Sequence, residues 1–258
     1  MLIDILTVAP QMVETALPHS ILGRAIDSGI VRIQVHDLHD YAADRHRTTD
    51  SPPCGGGGGM VLKPEPIERA IAHASRLSQP DRIILTDPQG VRFDQEAAFE
   101  MACLDHLVFI CGRYEGVDER VRLTLASHAY SIGDYVLTGG EPAAWVMVDA
   151  IVRLLPGALG CAEAPSRDSF ADGLLDYPQF TRPRSFRGVG VPDALLDGGH
   201  REVESWRRLQ QLRRTRALRP DLWARCDITA DDVHLLESAA AHRCPQRYTE
   251  KEYAGARS

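Results

Sequence analysis

The chain has 258 residues, of which 44% are apolar and 25% are charged, which is ordinary for one large or two modest globular domains. A net charge of −7 excludes a protein that holds nucleic acid through overall positive charge, although a local basic segment stays compatible with RNA binding. The longest apolar run, residues 142–156, is too short to span a bilayer and contains two charges, so we expect no membrane role.

The cysteines and the N-terminal residues indicate the cellular compartment of the protein. Six cysteines are scattered without any C-x-x-C pair, so their spacing fits neither a zinc site nor a disulfide framework. Cys103 and Cys111 lie in apolar segments and are predicted to be small core residues. The N-terminus lacks a basic stretch and carries Asp4, unlike a secretion signal. These features predict a cytoplasmic protein.

Strand and helix patterns alternate through about the first 155 residues, which predicts a mostly parallel sheet with helices on its faces. Apolar or alternating runs predict strands at 2–8, 30–38, 81–86, 106–112 and 129–137. Helical spacing, caps and prolines predict helices at 21–29, 64–77, 94–104, 118–127 and 142–155. The last helix is apolar on nearly all sides, so we expect it to be buried on every face, between layers or at a subunit interface.

The composition changes after Gly157, where small and polar residues give way to basic helices. We predict an α/β domain at 1–157, a flexible linker at 158–172 and a helical basic domain at 173–258. Residues 201–219 hold seven arginines against two glutamates, while Trp206, Leu209 and Leu212 form an apolar stripe. So many arginines favour contact with phosphates, although a solvated helix face is also open.

Two glycine-containing loops follow predicted strands, which is where open α/β sheets bind ligands. In the first, residues 111–120 (CGRYEGVDER), Arg113 and Glu115 are suited to a polar ligand such as a base edge, but a solvated turn is the simpler interpretation. In the second, residues 131–141 (SIGDYVLTGGE), the glycines let backbone groups reach a flat heterocycle, or they form only a turn. A third segment, the five glycines at 55–59, matches neither a P-loop nor a dinucleotide fingerprint.

Two further charged residues have alternative interpretations. Arg153 follows Asp149 by four positions, so the two either pair on one helix face or Arg153 serves a site. Asp168 either caps a short helix at 169–175 or is a carboxylate on a mobile segment that closes over a substrate. We recognise no cluster with metal-ligand spacing and predict no metal site in the protein.

Seven blocks of sequence, in one order and spacing, resemble the bacterial tRNA (guanine-N1)-methyltransferase family. The blocks are 44–50, the glycine loop ending at Gly59–Met60, 111–120, 131–141, 153–160, 168–183 and 206–215. The resemblance covers nearly the whole chain. It implies the SPOUT class: an α/β fold with helices on both faces of a mostly parallel sheet, a C-terminal trefoil knot in that domain, and a small helical C-terminal domain. It also implies a homodimer with its active site at the subunit interface.

The resemblance further implies an activity: transfer of a methyl group from S-adenosyl-L-methionine (SAM) to N1 of the tRNA guanine just 3′ of the anticodon, when another guanine precedes it. Mg2+ is implied as a requirement, and the C-terminal domain is expected to bind the tRNA. Two other functions stay open, a knotted methyltransferase acting elsewhere on RNA and a non-catalytic RNA-binding scaffold.

The resemblance assigns roles residue by residue. Asp168 is implied as the general base, with Arg153 orienting it or stabilising charge on the base. Substrate contacts are implied for Arg113, Glu115 and Ser169. SAM-binding residues are implied to be Pro88, Gln89, Gly90, Gly112, Ile132, Gly133, Asp134, Tyr135, Val136, Leu137 and Gly140. Cys54, Gly58 and Gly199 depart from the family pattern, which puts loop rigidity and fine tRNA contacts in doubt rather than the reaction.

Overall fold

The computed structural model describes residues 1–161 and 163–241, and the chain divides into two compact units, residues 1–162 and 163–258. The last 17 positions, including Cys244 and the end of the predicted helical domain, lie outside the described residues. The predicted linker 158–172 spans the division: Ala158 belongs to the core of the first unit, and a short helix lies in the second.

The first unit is an α/β unit built on a parallel sheet. Its elements are β1 (Leu2–Thr7), α1 (Gln11–Glu14), α2 (Ser20–Asp27), β2 (Arg32–Asp37), a 3-10 helix (Leu38–Tyr41), β3 (Asp50–Ser51), β4 (Val61–Leu62), α3 (Pro64–Ala74), β5 (Arg82–Arg92), α4 (Gln95–Ala102), β6 (His106–Cys111), α5 (Glu119–Thr124), β7 (His128–Ser131) and α6 (Glu141–Val152). Five strands form one sheet in the order β2-β1-β6-β5-β7, with every neighbouring pair parallel. The predicted α/β class is confirmed.

Helices cover both faces of this sheet because the buried strands are apolar on both sides. Strand β6 is buried at all six positions, and alternate residues point to opposite faces. Phe109 belongs to the core that includes α2, α4 and α6, whereas Val108 and Ile110 belong to the core under α3. The predicted arrangement, a parallel sheet with helices on both faces, is therefore confirmed.

Two local predictions are wrong. Strand β7 ends at Ser131 instead of 137, because the Ser131 hydroxyl bonds the N–H and C=O of Gly133 and competes with the ladder. In the single chain Val146 and Asp149 of helix α6 are exposed, so burial of this helix on every face stays a prediction that requires a subunit interface. Cys103 is exposed at the C-terminal cap of α4, although Cys111 is buried as predicted.

A buried polar network crosses the α3 face of the sheet. The Asp4 carboxylate is fully buried on β1 and lies 2.5 Å from Nε2 of His36 and 2.7 Å from Nε2 of His106. Nδ1 of His106 lies 3.0 Å from the carbonyl oxygen of Ser78, so both neighbours of this ring are acceptors. Nδ1 of His36 lies 2.8 Å from the Tyr41 hydroxyl. The network links three adjacent strands.

The second unit is mostly helical. Its elements are α7 (Ala164–Arg167), β8 (Ser185–Phe186), β9 (Val189–Gly190), α8 (Asp193–Leu196), α9 (His200–Leu218), α10 (Pro220–Trp223) and α11 (Ala230–Ala241). In the predicted stripe of α9, Leu212 is fully buried, while Trp206 and Leu209 are half-buried.

A reciprocal cap and an ion pair hold α11 to α9. The Thr229 hydroxyl accepts from the N–H of Asp232, whose carboxylate accepts from the N–H of Thr229, as in a capping box. Arg208 on α9 donates two hydrogen bonds to the same carboxylate, at 2.8 and 2.9 Å. These contacts depress the pKa of Asp232 to about 2.

A ligand cavity at the carboxyl ends of three strands

A cavity of about 300 Å³ lies where β5, β6 and β7 end. Three loops form its walls: the excursion at 87–90, the predicted loop after β6, and the predicted loop 131–140. Of the residues implied to bind SAM or guanine, those that line it are Pro88, Gln89, Gly112, Arg113, Glu115, Ile132, Gly133, Tyr135, Val136, Leu137 and Gly140. Predictions made on separate stretches of sequence thus converge on one volume.

Gly90 and Asp134 were also assigned to SAM, but they do not line the cavity. Strand β5 extends beyond the predicted end at 86, and Thr86 and Val91 both stand opposite Tyr130, so residues 87–90 loop out. A Cβ at Gly90 would lie 2.5 Å from the backbone of Ala129, so glycine is needed there for the strand to resume beside β7. Asp134 is exposed.

Gly140 is the point at which the three loops meet. Its N–H donates to the Gly112 carbonyl at 2.7 Å, and a Cβ on it would lie 1.9 Å from the Thr86 hydroxyl oxygen. That hydroxyl donates to the Ile110 carbonyl at 3.1 Å. Arg113 and Gly139 form an additional antiparallel bridge. The loop after β7 therefore returns across β5 to the end of β6 before α6 begins.

Sequence reasoning missed Glu141, the first residue of α6. Its side chain is 1% exposed, accepts a 2.6 Å hydrogen bond from the Thr7 hydroxyl, and lies 3.5 Å from the Arg113 guanidinium. A carboxylate is favourable at a helix N-terminus, where N–H groups are unpaired. The signal was the acid directly after the Gly-Gly pair, next to the helix-starting Pro142. Glu141 connects the cavity-lining Arg113 to β1.

Burial, aided by the charge of Glu141, raises the pKa of the Cys111 thiol well above its usual value. The thiol at the end of β6 is therefore neutral and fully buried, which excludes it as a thiolate nucleophile.

The glycine run packs its last residue against Glu115. A Cβ on Gly59 would lie 2.4 Å from Oε1 of Glu115, and Gly59 has a φ of +84°, which favours glycine. The Glu115 N–H donates to the Met60 carbonyl at 3.0 Å. Glu115 itself is exposed at the cavity. The glycine loop at 55–59, which matches no phosphate-binding motif, therefore supports Glu115, the residue implied to contact the guanine.

The residues assigned to proton chemistry lie in different units. Arg153 is half-buried at the C-terminal cap of α6, in the first unit. In the second unit Asp168 is the C-terminal cap residue of α7, so the alternative in which it caps a helix at 169–175 is wrong. The Ser169 hydroxyl accepts from the N–H of Asp176 at 2.8 Å.

Neither a metal-ligand cluster nor a membrane-spanning helix is found among the described residues. Within residues 1–161 and 163–241 there is no group of three or more His, Cys, Asp or Glu side chains arranged to hold a metal ion. Over the same ranges no helix is both long enough and apolar enough to cross a membrane.

Fold and cavity together define an α/β protein with a ligand-sized cavity at the carboxyl edge of a parallel sheet. The chain belongs to the tRNA (Guanine-1)-methyltransferase TrmD family, whose sequence model matches residues 1–225. Proteins named tRNA (guanine-N(1)-)-methyltransferase from Geotalea uraniireducens, Staphylococcus carnosus and Dehalococcoides mccartyi are 52%, 50% and 46% identical to it. The alignments cover 91%, 92% and 95% of this chain and 95%, 97% and 100% of the relatives.

Proposed function

We propose that this protein transfers a methyl group from SAM to N1 of a guanine in tRNA. The observation that carries the proposal is a cavity whose walls are three strand-end loops, in a chain whose relatives are named for this activity. The target is the guanine just 3′ of the anticodon that is itself preceded by guanine.

The cavity suits a nucleoside-like methyl donor. Its volume of about 300 Å³ is at the lower end of small-molecule sites. Gly112, Gly133 and Gly140 line the cavity without side chains that would fill it, and the apolar Val136 is 86% exposed, as expected of a side chain that a ligand covers. SAM supplies a methyl group already activated by its sulfonium centre.

The protein's task is then to prepare N1, which carries a proton and is a poor nucleophile. Asp168 takes that proton, and the N1 lone pair forms the bond to the methyl carbon as the carbon–sulfur bond breaks with its electron pair going to sulfur. Arg153 stabilises the negative charge that develops toward O6 of the base. Glu115, held by Gly59 and Met60, orients the guanine edge.

The assembly belongs to the proposal as well. A homodimer with the active site at the subunit interface is supported by the exposed face of α6 and the neighbouring α1, where Val146 and Met12 are 47% and 45% exposed. A trefoil knot is supported by the return of the 132–140 loop to Gly112. We further propose that 158–172 is a flexible linker and that the basic helical part binds tRNA, in a cytoplasmic enzyme.

The Mg2+ requirement implied by the resemblance finds no preformed ligand set in the described residues. An ion held jointly with the RNA would show itself as loss of methylation in EDTA while SAM binding is retained.

The test uses labelled SAM with tRNA varied at and beside the target guanine, and mass spectrometry to locate the methylated nucleotide. Asp168→Asn keeps the side-chain shape but removes the base, so we expect methylation to fall at least about 100-fold with SAM affinity unchanged. Asp193→Asn, on the exposed start of α8, is the matched control. Full activity in Asp168→Asn refutes the base assignment, and a methyl group found on another atom or nucleotide refutes the proposed target.

A further inference from the structure

A small β-hairpin in the second unit has no role in the chemistry above. Strands β8 and β9 pair Ser185 with Gly190 and Phe186 with Val189, and all residues from 181 to 190 are exposed. Phe186 is 65% exposed and Val189 57%, so the hairpin holds an apolar pair in solvent. An isolated two-stranded hairpin gains little from such a pair unless something covers it.

The tip of the hairpin is a two-residue turn with an unusual residue. Arg187 and Gly188 have φ values of +52° and +80°, as a type I′ turn requires, and the first of these positions usually holds Asn, Asp or Gly. Arginine in this left-handed conformation weakens the turn. Its guanidinium carbon lies 5.3 Å from the centroid of the Phe186 ring. The turn thus places a cation beside an exposed aromatic ring.

The hairpin is also strongly basic, and its arginines are exposed. Arg182, Arg184 and Arg187 fall within six residues, and the stretch 181–192 has no acid. In the part of the chain that the structure describes, none of these three guanidinium groups has an ion-pair or hydrogen-bond partner.

On α9, by contrast, several arginines are already engaged within the unit. Arg208 is bound by Asp172 and Asp232, and Arg207 by Glu204. The hairpin therefore offers three guanidinium groups within six residues that no acid among the described residues neutralises, whereas part of the arginine count of α9 is already paired within the unit.

We propose that this hairpin is a contact site for RNA, in which an unpaired base stacks on Phe186 and the flanking arginines bind phosphates. Exposed aromatic rings interleaved with cations are the general means of holding single-stranded nucleic acid. RNA is favoured over a protein partner because no acid among the described residues pairs with the three arginines. The substrate of the proposed function, tRNA, is itself a polyanion. The identity of that RNA as tRNA rests on the proposed function.

The experiment measures Kd of the full-length enzyme for tRNA across a salt series. Phe186→Leu keeps an apolar side chain but loses the ring, so we expect Kd to rise about fivefold or more, and Phe186→Trp to restore it. Arg187→Asn suits the left-handed turn, so the unfolding midpoint should stay or rise while tRNA affinity falls. The salt dependence of log K should decrease by about 0.7–0.9 for a lost phosphate contact.

Arg32→Gln provides the control, because it removes an exposed arginine of the first unit, at the start of the edge strand β2. SAM affinity should not change in any variant. Hairpin variants that bind tRNA like wild type, with wild-type salt dependence, overturn the hairpin site and leave the proposed function standing. Hairpin-dependent RNA binding by a wild-type protein that does not methylate tRNA overturns the function and leaves the hairpin site. A wild type that binds no tRNA overturns both.

Discussion

Replacing Gly140 by alanine should damage the protein far more than replacing Gly112, although both glycines line the same cavity. The new Cβ at 140 would lie 1.9 Å from the Thr86 hydroxyl oxygen, about 1.5 Å inside the 3.4 Å at which ordinary contact begins. Overpacking of this kind costs about 1–3 kcal/mol. Displacing Thr86 also breaks its hydrogen bond to Ile110, for about 1 kcal/mol more. We expect Gly140→Ala to lower the free energy of unfolding by about 3 kcal/mol.

The matched control is Gly112→Ala. A Cβ at Gly112 meets nothing closer than 3.6 Å, so its unfolding free energy should stay within about 0.5 kcal/mol of wild type. Urea unfolding measures both variants, and calorimetry measures their SAM binding. Adding Thr86→Ala to Gly140→Ala should recover at least about 1 kcal/mol, because the closest clashing atom is gone. Gly140→Ala with wild-type stability, or no recovery in the double variant, would refute the steric argument.

Three further predictions follow from buried or crowded side chains. Asp4→Ala leaves the buried His106 and the partly buried His36 without their shared carboxylate and should lower the unfolding free energy by about 3 kcal/mol, measured in urea. Gly59→Ala should displace Glu115 and reduce tRNA methylation while SAM affinity, measured by calorimetry, is retained. The pKa of Asp232 is depressed to about 2, so its ion pair contributes about 2 kcal/mol above pH 4, lost as pH falls toward 2. Asp232→Asn should flatten that part of the acid-unfolding profile followed by tryptophan fluorescence.

Each of these has a control within the chain. Asp27→Ala, on the exposed side of α2, should not change stability, and an equal loss would contradict the network argument. Gly58→Ala meets no atom within 4 Å and should methylate normally, so equal loss there would count against the Glu115 contact. The Asp221 carboxyl, also with a pKa lowered to about 2, is 57% exposed in its pair with Arg219, so Asp221→Asn should leave the acid profile nearly unchanged.

The parallel sheet was predictable because its signal is local: six buried residues in a row on β6, and helices with one apolar face. The predicted strands and helices of the first unit are present, most with ends displaced by a few residues, whereas the short α1, the 3-10 helix, β3 and β4 were not predicted. Strand β7 was overestimated because its continuation, IGDYVL, has strand composition, whereas the Ser131 hydroxyl and the glycine after Ile132 end the ladder. A side chain bonding its neighbour's backbone is not visible in hydrophobic periodicity.

Most residues assigned to SAM or guanine line one cavity, but the contacts that support them were not predictable from the sequence. Gly140 and Gly112 were assigned to one ligand by resemblance, yet nothing in their spacing indicates that one contacts Thr86 and the other has room to spare. Glu141 was missed because a buried acid that bonds a threonine 134 positions away depends on tertiary contact alone. The arginine count of α9 likewise does not reveal that Arg207 and Arg208 are paired with acids within the unit.

The Asp4 network also constrains how the sheet can assemble. Neighbouring residues of a strand face opposite sides, so sliding β1 by one position would turn this carboxylate into the apolar layer around Phe109 and separate it from both histidines. Most other residues of β1 and β6 are apolar, so hydrophobic burial alone distinguishes poorly between one alignment of these strands and the next. We therefore expect mis-paired states of these three strands to accumulate in Asp4 variants even where the native state survives.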